Sequence, residues 1–271
     1  MKLSFTTLGC PGWNIDTIIA RTREYGYNGI DFRGYMGDND IWKFPEFSEN
    51  IDTTRTSIAE GGLEVPCLST SIRLLFQEED EAGHLNELDE YCRIASVFET
   101  PYIRVFGGHL EKAGLTDREE AAGRCASFLD RIALKSSEYG VTVLVETHDD
   151  WIAGQDILMI FEQTTQPNTG ILWDIHHPFR MNGEAPQDTW NMIGRWVKYV
   201  HVKDSAETDD GYELCLPGKG SIPIRESVDI LAESGYNGYL AFEWEKKWHP
   251  EIEEPEEAFP AYTEYMTQII Q

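Results

Sequence analysis

The 271-residue sequence predicts an α/β protein, a single (β/α)8 TIM barrel spanning residues 1–271 with its active site at the C-terminal ends of the strands. Three observations lead there. Eight short β-rich runs alternate with longer amphipathic segments, the pattern that builds a parallel sheet through crossover helices. The length matches the roughly 250 residues that such a barrel occupies as one domain. Finally, acidic or imidazole side chains recur about one strand-helix unit apart at the ends of the last four runs.

The elements follow in order. The strand runs are LSFTTL near 3–8, GIDFR at 29–33, EVPCLST at 64–70, PYIRVFG at 101–107, VTVLVET at 141–147, TGILWDI at 169–175, VKYVHVK at 197–203 and GYLAFEW at 238–244. Helical periodicity falls at 15–25, 49–61, 82–98, 117–139, 154–164, 186–195, 222–234 and 256–270, with an extra loop around 205–220. The clearest helix, 117–139, opens with Thr116 and Glu119 in capping-box spacing. It carries Ala121, Cys125, Phe128, Leu129 and Ile132 on one face and stops at Gly140. GYNG occurs twice, at 26–29 and 235–238, each time before an apolar strand. A glycine ending a helix in the left-handed region explains the first residue of each copy, so the repeat marks fold units and not chemistry. No Pro-rich or Gly/Ser-rich linker divides the chain.

Charge narrows the partners. With 48 acidic and 22 basic residues the formal net charge is -26, which repels phosphate backbones and anionic membrane surfaces. Neither nucleic acid nor a membrane is therefore an expected partner, and the Glu-rich run 251–257 reads as a solvated face. Cys10, Cys67, Cys92, Cys125 and Cys215 form no C-x-x-C pair, and their odd number suits buried thiols in a reducing compartment. The N-terminus lacks a signal-peptide apolar region, and no apolar run approaches the roughly 20 residues of a membrane span. A cytoplasmic location is expected.

Glu146 ends the fifth run and Asp174 the sixth, while His201 and Glu243 lie toward the ends of the seventh and eighth. Their intervals are 28, 27 and 42 residues. Alternate residues of a barrel strand point inward, so Leu144 and Thr142 accompany Glu146, and Trp173 turns outward where Asp174 turns in. Three carboxylates converging in a low-dielectric interior repel one another unless a cation neutralises them. One histidine with three carboxylates suits a single divalent ion, Mn2+, Mg2+, Co2+ or Zn2+. The bland alternative for any one of the four is a loop carboxylate, a helix cap or an interior hydrogen-bonded imidazole; four in register argue against it.

At this point the chain resembles the xylose isomerase-like TIM barrels, which include sugar and sugar-phosphate isomerases, ketose 3-epimerases, inosose dehydratase and dehydroshikimate dehydratase. The resemblance covers nearly the whole chain. It rests on YIRVFGG at 102–108, the Glu of VETH, the D-x-x-H of Asp174 and His177, HVKD at 201–204, PGKG at 217–220 and GYNGYLAFE ending in Glu243. The family's metal ligands fall on Glu146, Asp174, His201 and Glu243. The resemblance implies a metal-dependent isomerase or epimerase acting through an enediolate on a small carbohydrate, with Glu146 and Glu243 as the catalytic acid and base. It also implies that the D-x-x-H histidine, His177, contacts substrate. A homodimer or homotetramer fits the family, but no exposed stripe identifies an interface.

Around this centre the expected substrate contacts are His148, His177, Lys203, Arg33, Trp13 and Trp151. Lys203 shares the parity of His201 and serves equally as an oxyanion partner or a carboxylate partner. Arg33 and Arg104 suit either a polar substrate or neutralisation of barrel acids. Trp13, Trp42, Trp151 and Trp248 follow strands on the active face, where indoles suit sugar rings, with core packing the alternative for each. Trp173 and Trp196 read as core residues. His176 reads as loop surface, and Gly218-Lys219-Gly220 as a tight turn in preference to a phosphate cradle. Rival functions are a dehydratase of a cyclic keto-polyol, a nuclease resembling endonuclease IV, which the charge opposes, and a noncatalytic sugar-binding barrel.

Overall fold

The computed structural model describes residues 1–270. In chain order its strands and α-helices are β1 (Lys2–Thr6), α1 (Ile15–Glu24), β2 (Gly29–Asp31), α2 (Ile51–Glu60), β3 (Cys67–Arg73), α3 (Glu81–Phe98), β4 (Tyr102–Phe106), α4 (Arg118–Ser137), β5 (Thr142–Glu146), α5 (Gly154–Phe161), β6 (Thr169–Asp174), α6 (His176–Asn182), α7 (Pro186–Ile193), β7 (Val197–Val202), β8 (Asp204–Thr208), β9 (Gly211–Cys215), α8 (Ile224–Glu233), β10 (Tyr239–Phe242) and α9 (Pro255–Ile269). All eight expected strand runs form strands, shifted most at β3, where Pro66 delays the start. Two features differ from expectation. The stretch expected as a loop around 205–220 holds the antiparallel hairpin β8–β9, in register from Asp204↔Cys215 to Thr208↔Gly211. A short helix, α6, also follows β6 directly. Among the described residues no helix is long and apolar enough to cross a membrane.

The chain divides into two compact units, Met1–Pro66 with Tyr199 onward, and Cys67–Lys198. In the first, parallel strands run in the order β2-β1-β10-β7. Register pairs Phe5 with Phe242 and Ser4 with Ala241, and Ala241 in turn with His201. Alternation then sorts the faces. Phe5 and Phe242 turn toward α9, where Phe259 lies 4.4 Å from the Phe5 ring and Tyr262 stacks on Phe242 at 4.6 Å. Each such ring withdrawn from water contributes about 1.5–3 kcal/mol. Ser4 and Tyr199 take the opposite face, their hydroxyls 2.8 Å apart. Both GYNG copies behave as read, with Gly26 at φ +80° and Gly235 at φ +78° just past α1 and α8.

In the second unit the parallel order is β6-β5-β4-β3. Val105, Val145 and Ile171 stand in one row, and all three are buried. The face of α4 chosen from periodicity (Ala121, Cys125, Phe128, Leu129, Ile132) is buried throughout. Its cap differs, because the Asp117 carboxylate, and not Thr116, accepts the Glu120 N–H at 2.8 Å. Either residue can cap by type; the extended backbone at Asp117 puts its oxygen over the first turn. Trp173 turns outward from β6 as parity requires, its ring 5.8 Å from that of Trp190 on α7. Trp196 is only half-buried, with the Arg195 guanidinium 3.6 Å over its ring, so it is not a pure core residue. Trp244 in the first unit is wholly buried instead. Of the five cysteines, none in a disulfide, four are buried and Cys215 is half-buried. Burial pushes the Cys10 and Cys125 thiols well up, which keeps them unreactive.

Candidate active site

In the first unit a buried polar group gathers at the C-terminal strand ends. His201 on β7 is in register with Ala241 on β10, and Glu243 lies two residues further along on the same face. The result is a diagonal neighbour pair: His201 Nδ1 stands 3.2 Å from Glu243 Oε1. Lys203, again two residues on, reaches the same carboxylate with its ammonium, donating to Glu243 Oε2 and pairing with Glu245 Oε1 at 3.0 Å. Burial alone would lift the Glu243 carboxyl, but Lys203 and His201 outweigh it and hold it well below the usual carboxylate range. Of the two roles open for Lys203, carboxylate partner is the one this geometry displays.

Asp31, at the end of β2, was not singled out by sequence reasoning. It is wholly buried, and its Oδ2 lies 3.2 Å from His201 Nε2. The signal was parity, because Asp31 shares the face of Arg33, which the sequence did single out. Glu245 was missed likewise, two residues beyond Glu243. Arg33 itself is buried, with its backbone N–H on Thr7 Oγ1 at 2.9 Å, and its charge helps burial lower the Lys247 ammonium. Trp13 takes up a packing position. It packs edge-on against Phe259 and borders a cavity of about 410 Å³ with Pro11, Lys246, Lys247 and Pro255.

The second unit repeats the diagonal. Arg104 on β4 is in register with Leu144 on β5, and Glu146 lies two residues on, its Oε2 3.2 Å from Arg104 Nε. The guanidinium also donates to the Thr70 carbonyl at 3.0 Å and sits 3.9 Å over the Phe106 ring. Arg104 thus neutralises a barrel acid. At the end of β6, wholly buried Asp174 accepts the backbone N–H of His176 at 2.8 Å. One ligand-type atom from each of Asp174, His176 and His177 lies within 4.8 Å of the others. His176 is wholly buried, which corrects its reading as loop surface: α6 starts immediately after the strand and turns its first residue inward. His177 Nδ1 is 2.9 Å from the Thr147 carbonyl, which makes that nitrogen the protonated one and leaves Nε2 as its basic atom.

His148 packs against Phe106 and, edge to face at 4.8 Å, against His177, so two of the expected substrate histidines form one wall. Its Nδ1 lies 2.8 Å from Asp149, whose other oxygen accepts the Gly108 N–H at 3.1 Å. Burial raises the Asp149 carboxyl, but the His148 hydrogen bond and the His148 and His109 charges outweigh it and hold it below its ordinary range. Trp151 is wholly buried. Its indole occupies the space beside Gly107, where an added Cβ would lie 2.1 Å from Trp151 Cδ1. This is the core packing that stood as the alternative to a sugar platform.

The motif residues beyond the ligand set also find their places. Asp204, last residue of HVKD, turns its carboxylate into the PGKG turn and accepts N–H groups from Gly218 at 2.8 Å, Gly220 at 3.0 Å, Ile222 at 3.2 Å and Ser205 at 2.8 Å. A side chain at Gly220 would meet Asp204 Oδ1 at 2.2 Å, so only glycine permits the approach. The turn's donors are spent on the protein's own carboxylate, and the tight-turn reading holds.

Residues 19–268 match the family model of the xylose isomerase-like TIM barrel, and the chain belongs to that family. Its eight parallel strands with surrounding helices are accordingly those of a TIM barrel. A segment of 84 residues, 31% of the chain, is 36% identical to the C-glycoside deglycosidase alpha subunit of Microbacterium trichothecenolyticum. That match spans only 21% of the relative's own length. The inosose isomerase of Halalkalibacterium halodurans is 22% identical over 227 residues, covering 80% of this chain and 78% of that one. Epimerases and dehydratases also occur among the relatives. The crystal structure of the IOLI protein, which holds a zinc atom, superposes with a TM-score of 0.81 at 17% identity, covering 100% of this chain and 98% of that one.

Proposed function

We propose that this member of the xylose isomerase-like TIM barrel family, taken as one barrel domain over residues 1–271, is a divalent-metal-dependent sugar isomerase or epimerase. In this reading Glu146, Asp174, His201 and Glu243 hold one Mn2+, Mg2+, Co2+ or Zn2+ ion. The observation that carries it is the donor set. Three carboxylates and one imidazole, all buried, stand at or just past the C-terminal ends of β5, β6, β7 and β10. Among the described residues, buried carboxylates (Asp31, Glu146, Asp174, Asp204, Glu243) outnumber the buried arginines and lysines (Arg33, Arg104, Lys203). Such an excess is costly in a low-dielectric interior and is relieved by a bound cation, so the residues present fit the group.

A divalent cation supplies, when bound, the positive charge that acidifies a C–H between a sugar carbonyl and its neighbouring hydroxyl. The chain supplies the rest. One of Glu146 and Glu243, entering the step as the carboxylate, takes the proton from carbon, and the other, entering as the carboxylic acid, returns one; proton exchange with solvent restores the pair between turnovers. Return to the opposite face epimerises the carbon, and return to the adjacent carbon exchanges aldose for ketose. His177 and His148 offer imidazole nitrogens to substrate hydroxyls, Arg33 a guanidinium, and Lys203, hydrogen-bonded to Glu243, favours the ionised form in which that residue can accept a proton. Loss of a β-hydroxyl from the deprotonated substrate would make the enzyme a dehydratase, a second reading favoured by the inosose dehydratase relative.

The test is incubation of the manganese-loaded protein with ketoses and inososes in deuterated water. Deuterium is expected at the carbon beside the carbonyl, and the product, isomer or dehydrated ketone, distinguishes the two readings. No incorporation with any of these substrates would sink both.

A further inference from the structure

The contact between Asp31 and His201 spans more of the sheet than its length suggests. In the first unit β2 and β7 are separated by β1 and β10, so on a flat sheet their axes would lie roughly 14 Å apart, at about 4.8 Å per step. Yet Asp31 Oδ2 and His201 Nε2 are 3.2 Å apart, with both residues wholly buried. The strands curl enough for the two inward faces to meet, and at that meeting point a carboxylate faces the outer nitrogen of an imidazole. The inner nitrogen, Nδ1, looks the other way, toward Glu243 Oε1 at 3.2 Å. Two donor atoms on one small divalent ion, with bonds of about 2.1 Å at roughly 90–110° to one another, stand about 3.0–3.4 Å apart. The Nδ1 to Oε1 separation falls in that interval, while the second oxygen of Glu243 is taken by the Lys203 ammonium.

The geometry points to Asp31 as the positioning residue of His201: it accepts Nε2–H, fixes the ring's tautomer and rotation, and so makes Nδ1 the atom offered to the cation. The inference rests on the metal-binding reading above. Histidine ligands characteristically donate their second N–H to a carboxylate or carbonyl, because this raises the basicity of the ligating nitrogen and stops the ring from turning. Asp31 touches neither the ion nor the substrate in this scheme. It acts through His201.

The experiment uses the full chain and Zn2+ as the probe, in competition with a chromophoric chelator. Asp31→Asn and Asp31→Ala are expected to weaken zinc binding by about 10–100-fold, and a change below about threefold in both would overturn the proposal. The second measurement reads the wild type itself, and a variant serves only for assignment. In a long-range proton–nitrogen spectrum of the zinc-loaded wild type, with His201 assigned by its absence in His201→Gln, Nε2 should carry the proton and Nδ1 the metal-shifted resonance. A proton on Nδ1 with zinc on Nε2 would overturn the proposal whatever the variants do. Failure of the wild type to take up zinc overturns the metal reading itself, and Asp31's role with it. Normal uptake with indifferent Asp31 variants overturns this inference alone.

Discussion

Glu146 and Glu243 occupy equivalent positions in two different strand pairs, and the comparison separates what sheet geometry does from what side-chain chemistry does. In both, the glutamate lies two residues beyond the register partner of a basic residue on the adjacent strand: Leu144 faces Arg104, and Ala241 faces His201. In both, the diagonal contact is 3.2 Å. The cation differs. Arg104 carries a permanent charge, pinned by the Thr70 carbonyl and the Phe106 ring, whereas Glu243 answers to His201 and Lys203, groups that can both give up a proton. Parallel pairing thus delivers a carboxylate to a basic neighbour in either place, and the neighbour's own proton chemistry decides how fixed that carboxylate's ionisation is.

The sharpest way to break this comparison is to neutralise each glutamate in turn. Glu146→Gln and Glu243→Gln should each lower deuterium incorporation by about 10²–10⁴-fold, the range for loss of a general acid or base. If either variant exchanges at the wild-type rate, the two do not work as a pair. Next in size, Arg104→Met and Lys203→Met each leave a buried carboxylate without a cationic partner and should cost about 3–5 kcal/mol in urea unfolding. The Lys203→Met loss should shrink as the pH is lowered, because Glu243, once protonated, no longer needs the charge. A pH-independent loss would show that the Lys203 stem, not its ammonium, carries the effect.

Smaller effects probe the scaffold of the second unit. Gly107→Ala drives a methyl group into the Trp151 indole and should cost about 1–3 kcal/mol by overpacking, measured as a lowered urea midpoint. Asp117→Ala removes the α4 cap and should cost about 1 kcal/mol, with Thr116→Ala nearly silent. The smallest expected effect is a pair of opposed pH slopes. Asp149 is held down by its histidines, so its contribution to stability is present above the ordinary aspartate pKa of about 3.9 and is lost as pH falls through its lower folded value. Asp204 is raised by burial, which outweighs four backbone N–H donors, so its contribution is present below the ordinary value and lost as pH rises through the folded one. Urea midpoints of Asp149→Asn and Asp204→Asn against wild type, followed from pH 3 upward, should diverge in opposite senses. Parallel curves would refute both assignments.

By itself the sequence determined most of the elements and their faces, with the β8–β9 hairpin and α6 the exceptions. Short β-rich runs placed the eight parallel strands, period-3.6 patterning placed the buried face of α4, and the left-handed demand at Gly26 and Gly235 marked two helix ends. Spacing alone picked out Glu146, Asp174, His201 and Glu243, because one strand-helix unit has a nearly constant length. These are local quantities, set by backbone geometry within a few residues, and local quantities are legible in a string of letters. Only the tertiary structure decided the rest. That Asp31 meets His201 depends on how strongly four strands curl, that Asp204 belongs to the PGKG turn depends on a hairpin folding back, and that His176 is buried depends on a helix starting one residue after a strand. Each joins groups through the summed twist and packing of several elements, and no single spacing in the sequence encodes that sum.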